Sequence, residues 1–287
     1  MEDNFSQLSS MIYSGRGITV GMTPEGNPFV GYTLTGRSPP SQARRLVIGE
    51  KTGIVRTELV EDDETLTKMF NIQNEADLSK LKLDIAKGSR ALIVYPAIMP
   101  VGNKIVVSNG AQTKLLYNTS INAYVDANPI TILREAFSKP FYEYDEKGDK
   151  LIDITKYEPD HPNFTPRISA CLDNKLAGIH LVRRAWESEE KDDKISTIVL
   201  FPGQASGITT YSGGNENPLA PFKGELLYFN IESNDPQKIC YNLYTAIGNP
   251  NPNDNNKVYR VAAAVMMKKK DGGLAFAVMN KADEGLK

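Results

Sequence analysis

The chain has 287 residues, 40% of them hydrophobic and 24% charged, with a formal net charge of -2. That is globular composition with enough apolar mass for one large core, and its near-neutral balance argues against general attraction to nucleic acid or an anionic membrane. Its cysteines, Cys171 and Cys240, and its histidines, His161 and His180, provide neither a disulfide framework nor metal-ligand spacing.

In chain order, the first segment, M-E-D-N-F-S, lacks the basic start and apolar stretch of a signal peptide, and no apolar run approaches membrane-spanning length. A soluble, cytoplasmic protein is expected. Residues 18–21 and 29–34 read as a hairpin around P-E-G-N. Strands are predicted at 45–48 and 54–58. Residues 61–87 are charged and helix-prone, with Leu66, Met69, Phe70, Leu78, Leu81 and Ile85 at near-helical spacing, and read as a peripheral insertion. Strands at 92–98 and 104–108 flank P-V-G-N. A short helix is predicted at 129–137. Residues 139–156, with alternating aromatics and D-E-K-G-D, read as an extended loop or small hairpin.

Further strands are predicted at 167–172, 178–183, 195–201 and 225–229. The acidic run after Trp186 reads as a solvated connection. Residues 203–222 and 249–256 carry the densest loop signals. Residues 236–247 make the clearest helix, with Asp235 as cap, Pro236 in the first turn and Gly248 at the exit. Residues 258–267 and 274–279 read as a last hairpin around D-G-G. No composition shift divides the chain, so residues 1–287 are expected to form one domain of antiparallel sheets with helices packed outside.

The sequence lacks a P-loop and a G-x-S-x-G elbow. G-R-G-I-T-V-G at 15–21 matches a dinucleotide fingerprint only loosely, because a strand follows it instead of a helix. Cys171 lies in an apolar run, which suits a buried core residue better than a nucleophile.

What remains is polar chemistry at strand ends. N-F-T-P-R-I-S at 163–169 puts amide, hydroxyl, proline and guanidinium at the mouth of a buried strand. Pro166 stiffens the backbone there and pushes Thr165 toward extended geometry. Arg16 lies between glycines, Arg37 follows Gly36, and Arg44 and Arg45 close the same loop. Arginine beside glycine and serine suits bidentate phosphate binding. Each alone would read as a surface ion pair; together with Arg167 they favour an anionic ligand. Asn109 and Gly110 end a β-branched strand, Tyr95 precedes Pro96, and Glu158 sits between prolines in K-Y-E-P-D-H-P. The ordinary readings of these residues are a turn, a packing tyrosine and an exposed turn acid.

Taken together, Y-S-G-R-G-I-T-V-G, the G-R-S loop ending at Arg44, V-Y-P-A-I, V-V-S-N-G-A-Q-T and Y-E-P-D-H-P-N-F-T-P-R-I-S resemble the archaeal-type IMP cyclohydrolase family. F-P-G-Q-A-S-G-I-T-T-Y adds weaker support. The resemblance implies an α+β fold, a four-layer αββα sandwich of antiparallel sheets like that of N-terminal-nucleophile hydrolases but without their nucleophile. It also implies ring closure of 5-formamidoimidazole-4-carboxamide ribonucleotide to IMP and water, with no metal or organic cofactor, in a homo-oligomer that binds neither nucleic acid nor membrane.

By motif matching, Arg44, Tyr95 and Glu158 correspond to the family's active-site arginine, tyrosine and glutamate. Arg16, Arg37, Asn109, Gly110, Thr165 and Arg167 are the substrate-binding candidates. Gln112 and Lys114 stand where the family pattern has histidine and aspartate. Segments 61–87 and 139–156 read as insertions relative to the compact archaeal enzymes. The alternatives are a purine-nucleotide-binding protein on the same fold that closes no ring, and an amide hydrolase using an internal serine or cysteine.

Overall fold

A computed structural model describes residues 4–124, 127–144, 150–186 and 188–284. The first half of the chain forms α1 (Ser6–Ser9), β1 (Arg16–Met22), β2 (Pro28–Thr35), α2 (Pro39–Gln42), β3 (Arg44–Ile48), β4 (Val55–Leu59), α3 (Asp63–Phe70), α4 (Glu75–Ala86), α5 (Arg90–Ile93), β5 (Pro96–Val101) and β6 (Lys104–Ser108). Next come α6 (Gln112–Asn122), α7 (Pro129–Ala136), β7 (Tyr142–Tyr144), β8 (Leu151–Asp153), β9 (Arg167–Leu172), β10 (Leu176–Arg184) and β11 (Lys191–Val199). The chain closes with β12 (Gln204–Thr209), β13 (Leu227–Asn230), α8 (Pro236–Ala246), β14 (Pro250–Asn251), β15 (Lys257–Val258), β16 (Arg260–Lys268) and β17 (Leu274–Asn280).

Two large sheets result, both antiparallel. One has the order β13-β12-β1-β2-β16-β17, the other β11-β10-β9-β6-β5-β4-β3. Their inner faces meet in the main core, where Ile18, Val20, Tyr32, Leu34 and Ala264 face Leu46, Ile98, Val107, Ile168 and Ile179. The outer face of the first sheet is covered by α8: Ile239, Cys240 and Leu243 pack on Phe29, Ala263 and Val265. The outer face of the second is covered by α6 and α7, through Leu116, Ile132 and Leu133 against Val106 and Cys171. The layers therefore run helix, sheet, sheet, helix.

Both helix layers sit close because the sheets present small residues to them. A Cβ on Gly31 would lie 2.6 Å from Leu243 Cδ1, and one on Gly178 would lie 2.5 Å from Leu133 Cδ1. Strand glycines that allow such an approach are worth their conformational cost.

Most predicted elements are present. The first and last hairpins form, α7 and α8 form, and Asp235 Oδ1 accepts from Gln237 N at the start of α8. Segment 61–87 is helical, but Asn71, with φ 51°, ends α3 and divides it into two helices capped by Asp62 and Asn74. Segment 139–156 contains the small β7–β8 hairpin, while its D-E-K-G-D turn lies outside the described residues.

Four expectations need correction. The strand predicted at 92–98 begins only at Pro96, because Thr57 Oγ1 donates to Ile93 O and accepts from Tyr95 N, which ends the short α5 before the ladder starts. The loop expected at 203–222 contains β12, a strand whose small residues Ala205 and Gly207 hide it from hydrophobic alternation. Helix α6 was not foreseen, since its sequence Q-T-K-L-L-Y-N-T-S-I-N is largely polar. Part of the acidic run, Lys191 to Lys194, belongs to β11 and pairs with β10.

The strand directions converge usefully. β1, β3, β5 and β9 begin at one end of the sandwich, and β2, β6 and β12 finish there.

Candidate active site

That common end gathers the polar residues. Arg16 opens β1 and donates from Nη2 to Glu158 Oε1 at 2.5 Å. Arg167 opens β9, and its Nη1 lies 4.0 Å from the same carboxylate oxygen. Side-chain exposure is 11% for Arg16 and 3% for both Glu158 and Arg167, so this is a buried triad. Removing one member of such a group leaves charge stranded in a poorly solvating interior. Glu158 is held by its backbone as well, its N donating to Thr165 O at 2.9 Å.

Arg167 is fixed at two further points. Its Nε donates to Lys156 O at 2.7 Å and its Nη1 to Gln112 Oε1 at 2.9 Å. Gln112 Nε2 in turn donates to Asn109 Oδ1 at 2.8 Å. The Asn109 side chain is already engaged with the β9 backbone, accepting from Ile168 N and donating to Pro166 O. It acts as a strut between β6 and β9. Gly110 is where Arg167 passes, since a Cβ there would lie 2.9 Å from Arg167 Nη1 and 2.8 Å from Gln112 Oε1. Gln112 is thus fully buried and structural, whereas Lys114 is exposed.

On the same sheet as Arg167, Arg44 opens β3 and is 3% exposed. Its Nε donates to Ser41 O at 2.9 Å and its Nη2 to Thr35 O at 3.2 Å. Among the described residues no carboxylate lies within ion-pair distance of it. A buried guanidinium held only by carbonyl dipoles is an uncompensated positive charge, and an anion is its natural complement. Arg37 lies at the rim, with Nη1 donating to Glu216 O at 3.1 Å and its guanidinium 5.2 Å from the Tyr13 ring centre. Arg45 departs from the group, pairing across β3 and β4 with Glu58 at 3.7 Å.

Tyr95 is 4% exposed, and its hydroxyl lies 2.9 Å from that of Tyr32 across the gap between sheets. Thr165 Oγ1 meets both Asp160 Oδ2 and Tyr211 Oη at 2.5 Å. Tyr211 stacks on Tyr13 at 5.7 Å. Tyr13, Tyr32, Asp160 and Tyr211 were not among the predicted site residues. Tyr32 could have been suspected, as the one phenol in an otherwise apolar alternation on β2.

Burial sets the electrostatics. It pushes the Tyr13, Tyr32 and Tyr211 phenols up, with Arg16 opposing it at all three. Burial opposes the charge of Arg16, but the Glu158 carboxylate and the surrounding phenols outweigh it and hold the guanidinium protonated. Burial also lifts the Glu158 carboxyl above the ordinary carboxylate range, against the pull of Arg16 and Arg167. A carboxyl moved toward neutrality beside fixed cations is suited to exchanging protons.

Lined by Gly110, Glu158, Pro159 and Arg167, with Ile152 and Ile154 from the β7–β8 region, a pocket of about 80 Å³ opens beside the triad. Cys171 is fully buried in a different layer, its thiol pushed up to about 12 by burial, so it offers no nucleophile here. Among the described residues no group of three or more His, Cys, Asp or Glu side chains is placed to hold a metal ion.

Comparison with known proteins bears on this cluster. A family model described as IMP cyclohydrolase-like protein matches residues 72–272. The chain belongs to the IMP cyclohydrolase-like family. Tyr95, Asn109, Glu158 and Arg167 fall inside the matched span, while Arg16, Arg37 and Arg44 precede it. An IMP cyclohydrolase of Methanococcus aeolicus is 25% identical over 232 residues, covering 80% of this chain and 86% of that protein. An IMP cyclohydrolase of Methanococcus maripaludis strain C7 is 25% identical over 207 residues, covering 71% and 77%. No described helix is long and apolar enough to cross a membrane.

Proposed function

We propose that this chain is an IMP cyclohydrolase, closing the six-membered ring of 5-formamidoimidazole-4-carboxamide ribonucleotide with loss of water. The observation that carries the reading is the convergence of Arg16, Glu158, Arg167, Arg44 and Tyr95, four strand starts and one loop, at one buried end of the sandwich. Family membership supplies the reaction class. The sandwich is, on this reading, a variant of the N-terminal-nucleophile hydrolase architecture in which strand-end side chains replace the nucleophile.

The chemistry needs little more than what these residues offer. The carboxamide nitrogen attacks the formyl carbon of the same molecule, forming the C–N bond and a carbinolamine. The attacking nitrogen gives up one proton as the formyl oxygen becomes the carbinolamine hydroxyl. That hydroxyl then takes a second proton and leaves as water while the formamido nitrogen loses its proton and forms the ring C=N bond. Both reacting groups are tethered, so holding them face to face removes most of the entropic barrier. Arg44 and Arg37 grip the 5′-phosphate, spending remote binding energy on that alignment. Arg16 and Arg167 orient Glu158 and steady negative charge on the carbonyl oxygens. Glu158 and Tyr95 handle the protons, a contribution of about 10²–10⁴-fold in comparable steps. No covalent enzyme intermediate is required. Asn109, Gly110, Gln112 and Thr165 keep the strand ends in place.

Incubating purified protein with the formamido nucleotide and following IMP by absorbance and chromatography tests this directly. Catalytic formation of IMP, lost in Tyr95→Phe, is the expected result. No IMP under conditions where a Methanococcus enzyme produces it would overturn the proposal. Binding of IMP in a thermal shift series without turnover would instead favour a purine-nucleotide-binding protein.

A further inference from the structure

We propose that Tyr32 is a positioning residue that donates its hydroxyl proton to Tyr95, so that the Tyr95 proton is left free for the reacting oxygen. This deepens the ring-closing reading and rests on it. The two hydroxyls lie 2.9 Å apart, and either oxygen could be the donor on distance alone. Their surroundings break the tie.

Tyr32 lies in the middle of β2, between Ile18 of β1 and Ala264 of β16 in the ladder. It is fully buried in the apolar core with Ile18, Val20 and Leu34. A phenol there must donate to something, because a buried O–H without an acceptor costs about 1–3 kcal/mol. The Tyr95 oxygen is the hydrogen-bond partner the structure gives it. Tyr95 precedes β5, at the site end of the other sheet, where the strand starts carry Arg44 and Arg167. If Tyr95 donated instead, the Tyr32 proton would be aimed into hydrocarbon. Donation from Tyr32 to Tyr95 leaves both protons usable.

The charged groups that act on this pair come from both sheets. Arg16 of β1 and Arg44 of β3 act on Tyr32, and Arg16 also on Tyr95, with Glu158 reaching the pair only through Arg16. Neither guanidinium is hydrogen-bonded to the phenols, so the direction of the shared bond is set by Tyr32. When Tyr95 gives up its proton, the Tyr32 hydroxyl stays behind as the donor that stabilises the phenolate. Solvent is the one outside participant: the Tyr95 proton goes to the departing hydroxyl of the carbinolamine, the formamido nitrogen gives its proton to Glu158 as the ring C=N bond forms, and exchange with water returns both side chains to their starting states.

The experiment compares Tyr32→Phe with wild type in full-length protein, using tyrosine labelled with ¹³C at Cζ. The Tyr95 resonance is assigned through Tyr95→Phe. Expected results are a fall in kcat of about 10-fold with KM changed less than 2-fold, and a basic limb of the pH–rate profile displaced to higher pH. The Tyr95 Cζ resonance shifts at constant pH. Replacement of Tyr32 by 3-fluorotyrosine, a stronger donor of the same shape, should restore kcat and move the limb the other way. An unchanged profile together with an unmoved Cζ resonance would overturn the proposal. The resonance is read without substrate, so wild type that shifts on Tyr32→Phe but forms no IMP would refute the function and leave the hydrogen-bond direction standing.

Discussion

The two ends of the sandwich are built from the same material and behave differently. At the site end, β1, β3 and β9 begin with Arg16, Arg44 and Arg167, all buried or nearly so. At the opposite end the turns meet around Gly26, Gly102, Asn174 and the lysines 268–270. Lys268 donates to Asn103 O and Asn174 Oδ1, both at 2.5 Å, but in exposed surroundings. Both ends are cationic. The difference is the degree of desolvation: Lys269 and Lys270 are exposed and screened by water and Lys268 is only half-buried, whereas the arginines are fixed by carbonyls and a carboxylate in the interior and keep their full field. Charge becomes chemistry where the sheets exclude water from it.

The largest effect expected from breaking this contrast is on catalysis. Tyr95→Phe and Glu158→Gln should each lower kcat by about 10²–10⁴-fold while the protein stays folded, measured by IMP formation alongside circular dichroism. Stability is the next arm. Glu158→Ala strands Arg16 and Arg167 together and should cost about 3–5 kcal/mol in urea denaturation, more than the isosteric Glu158→Gln. An Ala variant as stable as wild type would show that the triad is solvated after all.

A third test uses a buried group away from the site. His180 is 1% exposed, its Nδ1 lacks a partner, and burial pulls it from 6.5 down to about 4. Its ring lies against Phe137 at 4.3 Å, with Asp193 3.9 Å from Nε2. The folded state therefore resists the proton that the unfolded chain takes up. Stability should be fully present above pH 6.5 and fall as pH drops toward about 4, by roughly 3 kcal/mol in all. His180→Phe should flatten that part of the stability curve. At the far end, Lys268→Met should leave kcat/KM within about 2-fold and stability within about 1 kcal/mol, the smallest effect of the set.

Local chemistry was legible in the sequence. Asp235, Pro236 and Gly248 delimit α8, P-E-G-N closes the first hairpin, and the loop at 36–44 and the proline motif at 163–169 mark the arginines that become buried. These signals are short-range: a cap, a turn or a fixed φ acts within a few residues, so the sequence alone determines it. The ordered motifs also determined the family.

Other features were settled only when the chain closed on itself. β12 is a strand because β1 and β13 offer it two ladders, not because its own residues prefer extension. The strut role of Asn109 between β6 and β9 had no local sign, since it is β9 that brings Pro166 O and Ile168 N to its amide. Tyr32 lies 63 residues from Tyr95, and Glu158 lies 142 from Arg16. Nothing local links such pairs. The packing of two sheets decided them, because only apolar burial of both inner faces brings these strand ends together and removes the water that would otherwise screen them.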